Sequence, residues 1–128
     1  MIALYVALAG GVGAAARAWI DGAVTGRVGG HRLPSGTALI NLSGSLLIGL
    51  IAGVGVSFVS EAWQEVLTAG FLGGYTTFST AAVQTAEMFL ERRWRAGLGY
   101  GLGLLIAAAA CAGLGLWLGR VLGALGAG

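Results

Sequence analysis

Apolar residues fill four long stretches of this chain, at 2–20, 37–58, 66–90 and 96–118, separated by short polar links. Each stretch approaches the roughly 20 residues that an α-helix needs to cross a bilayer. The links read Arg27-Val-Gly-Gly-His31-Arg32-Leu-Pro34-Ser35, then Glu61-Ala-Trp63-Gln-Glu65, then Glu91-Arg92-Arg93-Trp94-Arg95. They leave no room for an extramembrane domain. The pattern therefore predicts an all-α, four-helix transmembrane domain over residues 1–128. The first stretch is not expected to be a secretory signal, because no basic segment precedes it and Arg17 stands where a cleavage region would lie.

Composition narrows the class. The chain is 57% hydrophobic and 9% charged, with a mean hydropathy of +0.88. Soluble domains are roughly 25% charged, and disordered chains need low hydrophobicity, so both classes are excluded. The basic residues are seven arginines, and the net charge of +2 is too small for a nucleic-acid partner. Cys111 is the single cysteine, which leaves no disulfide framework or cysteine metal site. The arginines sort by link: Arg27, Arg32, Arg92, Arg93 and Arg95 fall in the first and third, against Arg120 near the end of the fourth stretch. The positive-inside rule then puts those two links in the cytoplasm and both termini outside. Trp19, Trp63, Trp94 and Trp117 sit near span ends, where interfacial anchors belong.

Glycine is abundant at 25 residues, and small residues let membrane helices approach closely. Gly49 with Gly53, Gly99 with Gly103 and Gly115 with Gly119 have the spacing for this. Gly11-Val-Gly13-Ala-Ala-Ala16 matches a dinucleotide fingerprint by letter only, since no strand precedes it and it lies in an apolar span.

Polar groups in lipid need a reason. Thr37, Asn41 and Ser45 share one face of the second span. In the third, Gly73-Gly74-Tyr75-Thr76-Thr77-Phe78-Ser79-Thr80 forms helix poorly, because paired glycines and β-branched threonines weaken it. This segment predicts a broken helix at membrane depth, whose freed backbone groups must bind an ion, line a watery cavity or be buried in protein. The competing reading is an unbroken helix with hydroxyls bonded back to its own carbonyls. No carboxylate lies mid-span. Arg17 could pair with Asp21, Glu87 and Glu91 with Arg95 could form a solvated ladder, and His31 belongs to a loop. Neutral donors and aromatic edges suit a small anion better than a cation. The absence of fixed charge from the narrow part lets such an ion leave again.

Three segments carry a resemblance. Gly10-Gly11-Val-Gly13-Ala-Ala-Ala-Arg17, Pro34-Ser-Gly36-Thr37-Ala-Leu-Ile-Asn41-Leu-Ser-Gly44-Ser45, and Gly70-Phe-Leu-Gly73-Gly74-Tyr75-Thr76-Thr77-Phe78-Ser79-Thr80 resemble the Fluc (CrcB) fluoride channels of bacteria. The resemblance implies a multi-pass protein of the bacterial plasma (inner) membrane, an antiparallel dual-topology dimer, and two narrow fluoride pores. It also implies a structural sodium ion at the dimer axis, held by the backbone carbonyls of Gly73 and Thr76. By position, Asn41 is the pore amide, Thr37 lies one turn before it, and Phe78 is the first of two pore phenylalanines. Tyr100, Ser79 and Thr80 join the pore, and Arg17 matches the family arginine of helix one.

The departures are specific. The second phenylalanine is replaced by Ala81, the usual glutamate by Gln84, and the serines of helix four by Leu104, Ala107 and Ala108. A homodimer would lack one ring in each pore, and five arginines against one disfavour insertion in both orientations. The expectation is therefore either a homodimer that tolerates Ala81 or a heterodimer with a paralogous subunit of opposite bias. Two other readings remain at this stage: a non-conducting assembly subunit, and a small four-helix multidrug exporter, which would need a carboxylate in helix one.

Overall fold

The computed structural model describes residues 1–28, 33–55 and 58–126, with side chains for all of these except 25–28. His31, Arg32 and the Arg27 side chain, all used above, lie outside the described residues. Every regular element described is helical: α1 (Ile2–Val28), α2 (Ser35–Val54), α3 (Glu61–Glu65), a π-helical turn (Val66–Leu72), α4 (Gly73–Tyr75), α5 (Phe78–Leu90) and α6 (Trp94–Gly126). Three helices, α1, α2 and α6, are long and apolar enough to cross a membrane. The third apolar stretch is the one that does not form a single helix.

Element ends follow local chemistry. α2 stops at Val54, short of the expected 58, because Gly55 takes φ +70° and ψ −176°, an extended positive-φ conformation that glycine alone adopts readily and that no helix can continue through. α5 ends at Leu90, and Arg92 turns the chain with φ +58° before α6 begins. The expected Glu87–Glu91–Arg95 ladder is therefore interrupted, and Glu91 instead accepts from Arg93 at 3.1 Å. Arg17 and Asp21, both described, do not form the expected pair. α6 has 33 residues, about 50 Å at 1.5 Å per residue, so it exceeds the expected 96–118 span at both ends.

Packing is by backbone approach. A Cβ on Gly49 would meet Ala112 O, and one on Gly115 would meet Leu46 O. A Cβ on Gly119 would come within 2.7 Å of Gly53 Cα. These glycines hold α2 against α6. On the other side, a Cβ on Gly74 would meet Gly10 O, one on Gly13 would meet Phe71 O, and one on Gly70 would lie 2.9 Å from Val6 O. α1 thus lies directly on the π turn and α4. Gly99 and Gly103 differ from expectation: nothing lies within 4 Å of a Cβ at either position.

The core is small. Ile40, Leu72 and Tyr75 are buried, with Ala16, Ile20, Ile51 and Phe71 packed around them. Most other large apolar side chains, including Leu4, Leu8, Leu102, Leu105 and Ile106, face outward. Such a surface fits lipid rather than water. The four tryptophans are all exposed. Contacts sort the links into two ends. Tyr100 Oη reaches Pro34 O at 3.5 Å, joining the starts of α2 and α6. Tyr5 packs against Trp63 with centroids 6.3 Å apart, joining the start of α1 to α3.

Candidate functional site

The third stretch is irregular twice. In the π turn, Gly73 N–H reaches back five residues to Thr68 O, while the Thr68 hydroxyl donates to Gln64 O at 2.7 Å. A side chain bonded into the ladder is a recognised cause of such distortions. Beyond α4 the helix opens: Thr76 (ψ 158°) and Thr77 (φ −149°, ψ 111°) are extended. The break therefore lies downstream of Gly73 and Gly74, which remain helical. Gly74 is occupied in the contact with α1, and the extended pair are two of the β-branched threonines expected to weaken this segment.

Side chains replace the backbone partners that the break removes. Asn41 Nδ2 donates to Thr77 O at 2.9 Å, and Thr77 N–H donates to Asn41 Oδ1 at 2.9 Å. One amide of α2 thus clamps the opened strand from both sides and keeps its second N–H available. Thr77 also starts α5: its hydroxyl accepts from Thr80 N–H at 3.2 Å and donates to Thr80 Oγ1 at 2.9 Å. This is an N-cap arrangement. Thr76 bonds back to Leu72 O at 2.9 Å, so back-bonding and a broken helix coexist here.

A second polar chain lies nearer the start of α2. Gln84 Nε2 donates to Thr37 Oγ1 at 3.0 Å, and Tyr100 Oη donates to Gln84 Oε1 at 3.0 Å. Thr37 is 1% exposed. Three helices are tied through neutral groups. Ser43 and Tyr75 pair at 3.0 Å in the core, and no buried side-chain polar atom among the described residues lacks a partner.

Beside the break is a cavity of about 230 Å³ bordered by Asn41, Ser45, Thr76, Phe78, Ala81 and Ala108. Asn41 and Phe78, expected to act together, share its wall. Ser79 and Thr80 do not border it; their hydroxyls serve the Thr77 cap. Tyr100 and Thr37 belong to the Gln84 chain, and Arg17 is half-buried on α1. Phe78 is 83% exposed, so its ring projects from the chain. A second groove, about 300 Å³, also has Phe78 and Ala81 on its wall. Thr77 and Gln84 were missed as partners of the expected residues. A Gln inside an apolar stretch was the available signal, but its partner Thr37 is 47 residues away.

The cation expected at Gly73 and Thr76 can be tested against this geometry. In a continuous helix their carbonyls would accept from Thr77 and Thr80 N–H, and both amides are engaged by side chains instead. Two carbonyls without their helical donors fit a hard cation, which prefers oxygen ligands. No cluster of three acidic, His or Cys side chains exists among the described residues to offer another site.

Comparison with known proteins places this arrangement. The profile described as CrcB-like protein, Camphor Resistance (CrcB) matches residues 4–116. "Fluoride-specific ion channel FluC 1" of Leifsonia xyli is 42% identical over 120 residues, covering 93% of this chain and 87% of that one. "Fluoride-specific ion channel FluC 2" of Cutibacterium acnes is 43% identical over 121 residues, covering 93% and 98%. "Fluoride-specific ion channel FluC" of Rhodospirillum rubrum is 35% identical over 125 residues, covering 94% and 93%. The glycine-packed helices, the clamped break and these matches agree: the chain belongs to the CrcB family.

Proposed function

We propose that this chain is a subunit of a fluoride-selective channel that exports cytoplasmic fluoride by passive electrodiffusion, and that it is not an enzyme. One observation carries the reading: the cavity at the break joins the Asn41 amide, the Ser45 hydroxyl and the Phe78 ring, with no charged side chain on its wall. Donors of this kind replace an anion's hydration shell, and the absence of fixed charge keeps the ion from being trapped. The relatives' names point to the same ion. A negative-inside potential drives an anion outward with about 2.3 kcal/mol per 100 mV. The multidrug exporter reading gives way to the family match. The test is fluoride efflux from liposomes containing the purified chain, followed with a fluoride electrode after a potassium leak is opened. Efflux above that of empty liposomes supports the channel; chloride efflux at the same rate removes the selectivity.

The finer reading is a single four-span domain of the bacterial plasma membrane, in which residues 61–90 cross as a broken helix and two subunits assemble antiparallel. Gly73 and Thr76 would hold a structural sodium ion through their carbonyls, and that ion would neutralise carbonyl dipoles left by the break. The partner is read as a paralogous subunit of opposite arginine bias. What favours this is Ala81, which borders both grooves beside Phe78, so the place of a second ring is open space. Co-expression with such a paralogue should raise efflux above that of the chain alone. Equal efflux from the chain alone removes the heterodimer, and no efflux from either preparation favours a non-conducting assembly subunit.

A further inference from the structure

The break releases some carbonyls and keeps others. Leu72 O retains Thr76 N–H at 2.9 Å and also accepts the Thr76 hydroxyl. Thr77 O accepts from Asn41 Nδ2. Between them, the carbonyls of Gly73, Gly74, Tyr75 and Thr76 all lose their helical amides, and for Gly73 and Thr76 a neutral side-chain oxygen takes the amide away. Asn41 Oδ1 takes Thr77 N–H, and Thr77 Oγ1 takes Thr80 N–H. The two acceptors come from different elements, α2 and the break itself, and each acts on one carbonyl.

We propose that Asn41 and Thr77 are positioning residues of the cation site, holding the Gly73 and Thr76 carbonyls open by capturing the two amides that would otherwise close onto them. The inference rests on the sodium reading above. A carbonyl still bonded in a helix has to surrender that bond to a cation. Carbonyls already released do not, so the site is formed before the ion arrives. Asn41 also borders the anion cavity, and its second N–H faces no demand from Thr77. Asn41 therefore links the two sites, whereas Thr77 acts on the cation side and discriminates between the roles.

The test uses the full-length protein in detergent, with sodium replaced by N-methyl-D-glucamine and added back while the thermal unfolding midpoint is followed. Thr77→Val removes the acceptor but keeps the β-branched shape; Thr77→Ser keeps the acceptor. The parent and Thr77→Ser should respond over the same sodium range, and Thr77→Val should need about tenfold more sodium, the cost of one hydrogen bond. A Thr77→Val response equal to the parent's overturns the inference and leaves the sodium reading standing. A parent that does not respond to sodium overturns both. Should Thr77→Val not fold, hydrogen exchange at the Thr77 and Thr80 amides of the parent decides. Protection without sodium supports side-chain capture, and protection only after sodium is added overturns it.

Discussion

The α2–α6 contact and the break before α5 solve the same problem in opposite ways. Lipid supplies no hydrophobic drive to press helices together, so contact must come from close packing or from hydrogen bonds. Along α2–α6, side chains are removed: Gly49, Gly53, Gly115 and Gly119 let backbone meet backbone. At the break, side chains are added: Asn41 and Thr77 supply the partners that the opened backbone lacks. Around these four glycines the first region stays helical and packs through backbone atoms. The second gives up helical regularity and gains groups that can hold ions. Scaffold and site are thus separated by which kind of atom fills the contact.

The largest effect should come from Gly115→Ala, which places a Cβ on Leu46 O. Neither backbone can move aside cheaply, so the loss should reach or exceed the 1–3 kcal/mol usual for overpacking. Gel filtration and the unfolding midpoint would read it. Gly113→Ala, where a Cβ meets nothing within 4 Å, should be neutral or gain about 0.5–1 kcal/mol from helix propensity. Equal losses at the two positions would remove the packing argument.

Phe78→Ile probes the other region. The ring is 83% exposed in the single chain, so little folding energy depends on it. Loss of an aromatic edge worth about 1 kcal/mol should lower fluoride efflux by about tenfold or less, with gel-filtration behaviour unchanged. Parental efflux from this variant would show that the ring does not meet the ion.

Gln84→Leu should cost about 1–3 kcal/mol, because Thr37 and Tyr100 lose a shared partner in a buried place. The midpoint should fall by less than for Gly115→Ala. Thr37→Val on the Gln84→Leu background should then add little, since the bond between them is already gone. Additive losses would mean that the three residues do not act as one chain.

These contrasts also mark what could be read from sequence. The three long helices were legible because runs of about 20 apolar residues admit few other structures. The pairs Gly49/Gly53 and Gly115/Gly119 were legible from spacing, but Gly99/Gly103 has the same spacing and meets nothing in this chain. Spacing places glycines on a common face; it does not say whether a helix lies opposite. The break was legible both as an event and as a segment. It falls within residues 73–80, at Thr76 and Thr77, two of the threonines expected to weaken the helix, while Gly73 and Gly74 stay helical. What opens the helix there is partnered by Asn41, 36 residues earlier, and no local pattern encodes a bond of that separation. Asn41 and Phe78 were placed on one site by resemblance, and the structure sets them on one cavity wall.

The smallest effect belongs outside both regions. Arg93 and Glu91 form an exposed pair at 3.1 Å, with side chains 39% and 60% exposed. Water screens such pairs and side-chain entropy offsets them, so Glu91→Gln should change stability by under about 0.5 kcal/mol. Removing the negative charge of Glu91 from the third link also raises that link's net positive charge, with the arginine count unchanged. If the arginine bias sets insertion, the variant should insert with the third link facing the cytoplasm at least as uniformly as the parent, as read by labelling a cysteine placed at Ala96. Asp and Glu weigh little in orientation, so the expected shift is small and in this direction only. A shift toward mixed orientation would separate the arginine count from topology, and with it one of the two arguments for an unlike partner.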